Sequence, residues 1–132
     1  MKIKREIKMK KKETDREKVK TGISEYLIAH GCPSDYVGFL ILCDLLQAAL
    51  KNYMDLALNL KSIYLRVAHK HQMTRLSVER NLHTLVEKWL LMEEAKFYEV
   101  FDKEPTNAEL LHTLTRKLRY LNCSVYDTLL MP

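Results

Sequence analysis

Apolar residues recur at helical spacing along most of the chain, and the clearest register runs from Ser62 to Leu90. Ile63, Val67 and Lys70 or His71 fall at i, i+4 and i+7 or i+8, and Tyr64 with Ala68 widens the same stripe. This spacing predicts a short amphipathic helix from Ser62 to about His71. Gln72 and Met73 then lead to Thr74, whose hydroxyl can accept a backbone N–H two or three residues on and so open a second helix at Arg75. Val78, Leu82, Leu85, Val86 and Trp89 form its buried side. Arg80, His83, Thr84 and Glu87 fall on the outer side at about 100° per residue, with Arg75, Ser77 and Glu79 near the exposed front end. Two helices joined by a tight turn, the second presenting polar side chains at its N-terminal half, is the layout of a helix-turn-helix. The same layout also occurs as plain packing in all-helical domains.

The remaining elements are placed by the same periodicity. From Lys20 to His30 a helix turns Ile23, Leu27 and Tyr26 inward and ends at Gly31, suited to the left-handed cap position, with Pro33 forbidding continuation. Ser34 or Asp35 is expected to cap the next helix, which reaches about Tyr53 through Val37, Leu40, Ile41, Leu45, Ala48 and Ala49 and forms the hydrophobic centre. Its apolar run from Val37 to Cys43 is broken by Asp44. Met54 to Asn59 is a shorter helical segment. Leu91 to Lys103 mixes Phe97, Tyr98, Val100 and Phe101 with charges, a pattern compatible with a helix, a loop or a wing-like hairpin. The register returns after Pro105, where Thr106 and Glu109 match a capping box ahead of Leu110, Leu111, Leu114, Leu118 and Leu121. The expected fold class is all-α, a compact bundle of about six helices containing a helix-turn-helix.

Length and charge divide the chain. At 132 residues it suits one domain with a normal core. Residues 1–20 hold ten Lys or Arg against four acids and few apolar positions, so they are expected to form a basic flexible arm. Residues 21–121 form the helix-turn-helix domain. Residues 122–132, apolar in Val125, Tyr126, Leu129, Leu130 and Met131, form a tail expected to pack back on the domain or meet a second copy. Between Lys61 and Arg80, five basic side chains face Glu79 alone, whereas Glu87 to Glu109 holds seven acids and three lysines. One basic and one acidic surface suit a polyanion binder with a single binding face.

Several classes are disfavoured. Cys32, Cys43 and Cys123 are odd in number and include no C-x-x-C pair, and the five histidines show no zinc-ligand spacing, so no metal or cofactor is expected. No run approaches the ~20 apolar residues of a membrane span, and no secretory leader is present, which points to a cytoplasmic location. There is no Gly-rich phosphate loop and no nucleophile–base constellation, so an enzyme is not expected.

Gly31-Cys32-Pro33, Gly38-Phe39-Leu40, Tyr64, Val67-Ala68, Lys70, Thr74, Val78-Glu79-Arg80, Pro105-Thr106-Asn107-Ala108-Glu109 and Lys117-Leu118-Arg119 appear in one order. That order, from about Thr21 to Leu121, resembles the C-terminal effector domain of the stage-zero sporulation response regulator family. The resemblance implies an all-helical DNA-binding domain acting in sporulation transcription control, with a recognition helix over about residues 75–91. It also implies that residues around Val78-Glu79-Arg80 approach bases and phosphates. Ser77, His83 and Thr84 stand where that family has more basic character, and the 89–105 segment is several residues shorter. About twenty mostly charged residues precede the domain, too few for a receiver, so a stand-alone regulator is expected.

The expected base contacts are Ser77, Glu79, Arg80, His83 and Thr84, with Arg80 on a base edge and Glu79 accepting from a cytosine amino group or orienting Arg80. Lys61, Arg66, Lys70, Thr74, Arg75, Lys117, Arg119 and arm lysines such as Lys10, Lys11 and Lys12 are expected at phosphates. Lys117 and Arg119, with Arg116, equally complement the negative end of a helix dipole. The expected partners are double-stranded DNA, RNA polymerase or another regulator, and a second copy of the chain. The rival reading is a protein-interaction module that keeps the scaffold without reading DNA.

Overall fold

A stripe of Val19, Ile23 and Leu27, four residues apart and each fully buried, draws the first helix onto the rest of the chain. The computed structural model describes the backbone of residues 2–121 and the side chains of residues 16–121. Its elements are α1 (Lys2–Ala29), α2 (Val37–Lys51), a 3₁₀ turn (Tyr53–Asp55), α3 (Leu56–Lys70), α4 (Arg75–Met92), α5 (Glu94–Val100) and α6 (Asn107–Leu121). No strand occurs among the described residues, and the fold is the all-α bundle that the periodicity predicts.

α2 is the central post, packed by α1, α3, α4 and α6. Its Ile41, Leu42, Leu45, Leu46 and Ala49 are fully buried, as befits a helix apolar around most of its circumference. Behind α4, Trp89 meets Phe97 and Phe101 edge-on, with ring centroids 5.5 and 5.4 Å away, so the short α5 is clamped to the back of α4. The Trp89 indole N–H donates to the His30 carbonyl at 2.9 Å, tying α4 to the end of α1.

Two helices end in the same motif. Gly31 has φ +84°, and the amides of Gly31 and Cys32 donate to the carbonyls of Ile28 and Leu27. Gln72 has φ +53°, and the amides of Gln72 and Met73 donate to the carbonyls of His69 and Ala68. Both are Schellman caps, and the second is the turn between α3 and α4. α6 opens with the expected reciprocal box: the Glu109 amide donates to Thr106 Oγ1 at 3.2 Å, and the Thr106 amide donates to Glu109 Oε1 at 3.3 Å.

The structure corrects several boundaries. α1 does not start at Lys20 but runs from Lys2, and Val19 is in the core, so the lysine-rich segment continues a helix rather than standing wholly as an arm. Lys and Glu are good helix formers, and no Gly or Pro interrupts that stretch. α2 starts at Val37 behind Tyr36, with no side-chain cap from Ser34 or Asp35. Val37 and Leu40 are more than half exposed because the packing elements lie on the opposite side of that first turn. Met54–Asn59 is not separate: Leu56, Leu60, Ile63 and Val67 continue one stripe along α3. Residues 94–100 are a helix, and Leu121 at the end of α6 is exposed. The expected placement of the 122–132 tail lies outside the described residues.

Candidate nucleic-acid interface

α4 begins where its sequence predicts. Thr74 is extended, with φ −79° and ψ 159°, and its Oγ1 accepts the Ser77 amide at 3.1 Å. Val78, Leu82, Leu85, Val86 and Trp89 are buried, which leaves Arg80, His83, Thr84 and Glu87 exposed along the opposite face. No acid occupies the first turn, so the positive end of the helix dipole is uncompensated at the surface.

Side chains at the front of α4 are held in place. Arg75 Nε donates to Glu79 Oε1 at 3.2 Å, and its guanidinium carbon lies 5.6 Å from the centroid of the Tyr64 ring. Burial, with the Glu79 carboxylate adding to it and Arg75 opposing, pushes the Tyr64 phenol up to about 12. In the free protein Glu79 therefore holds Arg75. One turn on, His83 Nε2 lies 2.9 Å from Glu87 Oε1. Asn81 reaches back to the Ser77 carbonyl at 2.8 Å, and Asn107 of α6 donates to the Glu79 carbonyl at 3.2 Å. Ser77 and Glu79 are only partly exposed.

α2 carries this helix at close range. A Cβ on Gly38 would lie 3.1 Å from Leu85 Cβ, closer than most real Cβ contacts, so a glycine there lets the two helices approach. Asp44, an acid in the middle of the most apolar helix, is 9 % exposed and accepts from Lys70 Nζ at 3.0 Å and His71 Nε2 at 2.6 Å. In the sequence pattern Asp44 stands only as a break in an apolar run. Its signal was available, because a carboxylate at a core position is seldom buried unless paired.

The expected phosphate contacts separate into groups. Lys61 and Arg66 are exposed on α3, and Thr74 and Arg75 are exposed at the mouth of α4. Lys70 is exposed but joined to Asp44. The Lys51 ammonium is pushed down by burial, then by the charges of Arg16 and Arg66, so cations of α1, α2 and α3 influence one another there. Lys117 and Arg119 lie toward the other end of α6 from its contact with α4. The start of α6 touches α4, and Arg119 is twelve residues further on, about 18 Å at 1.5 Å per residue. Its guanidinium lies 3.5 Å from the Tyr53 ring centroid and donates to the Tyr53 hydroxyl at 2.7 Å, on the wall of a cavity of about 470 Å³ with Leu56 and His112. Lys117 lines a groove with Tyr26 and His30 of α1.

No single described helix is long and apolar enough to cross a membrane. A family model described as "Sporulation initiation factor Spo0A C terminal" matches residues 23–118, nearly the whole helical domain. No curated protein and no solved structure matches the chain.

Proposed function

The chain belongs to the Spo0A C-terminal family of sporulation initiation factors, DNA-binding regulatory domains rather than enzymes, and from that premise we propose that it reads a specific duplex sequence with α4 in the major groove. The observation that carries this reading is the exposed row Arg80, His83 and Thr84 on a helix whose other side is wholly buried and whose front end is capped, open and flanked by basic residues. Arg80 is the residue for a guanine edge, since a guanidinium can donate two parallel hydrogen bonds to O6 and N7. His83 and Thr84 lie one turn further along the same face, and Ser77 and Glu79 flank the entry. Lys61, Arg66, Thr74 and Arg75 serve phosphates.

With Ser77 in place of a basic residue, the preferred sequence differs from that read by relatives with a cation there. Such a regulator works on duplex DNA in the cytoplasm, beside RNA polymerase or a second copy of itself. Selection from randomised duplexes at two salt concentrations tests this. One enriched motif is the expected result, with affinity that falls steeply as salt rises. Enrichment of no motif at either concentration would overturn it.

One observation favours a second reading, a protein-interaction module. Glu79 and Glu87 already engage Arg75 and His83, and Leu76 beside them is 54 % exposed. Under that reading, purified protein binds no duplex at low salt and instead captures a polymerase subunit or a regulator directly.

A further inference from the structure

Asp44 belongs to none of the surfaces expected to touch DNA, yet its two carboxylate oxygens take different partners at one joint. Oδ1 accepts from Lys70, the last residue of α3, and Oδ2 accepts from His71, its C-cap. The next residue, Gln72, is the left-handed position of the turn, and two residues later Thr74 caps α4. Six residues earlier on α2, about 9 Å away along its axis, Gly38 abuts the backbone of α4 at Asn81. One rigid helix therefore grips both sides of the turn: the end of α3 through Asp44 and the body of α4 through Gly38.

We propose that Asp44 is a positioning residue for DNA reading, which fixes the α3–α4 angle and withholds the Lys70 charge from non-specific phosphate contact. The inference rests on the DNA-reading function proposed above. A carboxylate between an ammonium and an imidazole N–H offsets the lysine locally, so Lys70 adds little to the field seen by a random duplex. Specific binding instead gains from an α4 held in one orientation, because base-edge hydrogen bonds tolerate little misplacement and phosphate attraction tolerates much. The Lys70 contact expected from the sequence is reassigned on this view from DNA to Asp44.

The test uses the full chain and two variants. Without DNA, Asp44→Asn is expected to speed hydrogen exchange at least tenfold at the amides of Gln72, Met73, Ser77 and Val78, which the turn and cap protect, while α6 amides keep their rates. With DNA, the same variant lowers the ratio of selected-site to random-duplex affinity about tenfold. It also steepens the random-duplex slope of log K against log salt by about 0.9, one added phosphate contact. Lys70→Gln, which keeps the His71–Asp44 bond, leaves that slope unchanged from the natural protein. Unchanged exchange at the turn, an unchanged affinity ratio, or a shallower slope in Lys70→Gln would each overturn the proposal. If the natural protein prefers no sequence, the DNA-reading function fails by that result alone, and the exchange rates still decide whether Asp44 fixes the joint.

Discussion

Gly38 and Asn81 meet at a distance that admits no side chain: a Cβ on Gly38 would lie 2.5 Å from the Asn81 carbonyl oxygen. That oxygen belongs to the backbone of α4, so relief requires the helix itself to move. Gly38→Ala gains about 1 kcal/mol of helix propensity in α2 and loses more through overpacking, for which about 1–3 kcal/mol is typical. A net loss of stability is expected, read as a lower urea midpoint at unchanged slope. A midpoint equal to or above that of the natural protein would show that α2 and α4 separate without cost.

The α3–α4 turn offers the opposite sign. Gln72 occupies the left-handed region at φ +53°, where a Cβ is disfavoured by roughly 1–2 kcal/mol and glycine is not. Glycine loses more freedom on folding, so Gln72→Gly is expected to stabilise by about 0.5–1 kcal/mol, the smaller remainder of those two effects. Thermal unfolding checks this, with a rise of a few degrees expected for a domain of this size. Because Gln72 is exposed, no lost contact offsets the gain.

The elements that were legible in the sequence are those fixed by local chemistry. Thr74 capping α4, the Thr106–Glu109 box, the left-handed Gly31 and the buried stripe from Val78 to Trp89 all depend on residues within a turn or two of one another. Features that needed distant partners were not legible. Val19 looks isolated among lysines until Gln47 of α2 is found donating to the Arg16 carbonyl beside it. Asp44 reads as an interruption until Lys70 and His71 arrive from 26 and 27 residues away. Arg119 looks like a free cation in a last helical turn, whereas Tyr53 is 66 residues away in sequence and directly beneath it in space. The identity of the α4 face was readable from periodicity, but the pairing of Arg75 with Glu79 and of His83 with Glu87 depends on rotamers that spacing permits without dictating.

Acid should reveal the α6 cap. Hydrogen bonds from the Thr106 amide and from its side chain, then the Lys103 ammonium, hold the Glu109 carboxyl below its ordinary 4.5. A depressed folded value means that the unfolded chain takes up the proton first. The contribution is therefore complete above about pH 4.5 and is lost as pH falls through the lower folded value. Glu109 is exposed, so the effect is modest. Glu109→Gln keeps an acceptor without the charge, so it should lower neutral-pH stability by that modest amount and flatten stability against pH in that window, the two curves converging in acid. Parallel curves for the two proteins below pH 4.5 would show that the charge plays no part in the cap.

Arg80 and Arg66 separate base reading from phosphate attraction within one protein. Both are exposed cations, but Arg80 lies on the outer face of α4 and Arg66 on α3. If Arg80 donates to a guanine edge, Arg80→Ala costs about 1–3 kcal/mol on the selected site and far less on random duplex, and preference relaxes at one base position. Arg66→Ala weakens both duplexes alike and reduces the salt slope by about 1, because only a phosphate contact is removed. Titrations of both variants on both duplexes at two salt concentrations distinguish the roles. Equal losses from Arg80→Ala on selected and random DNA would remove Arg80 from the base-reading set and leave α4 as an electrostatic surface.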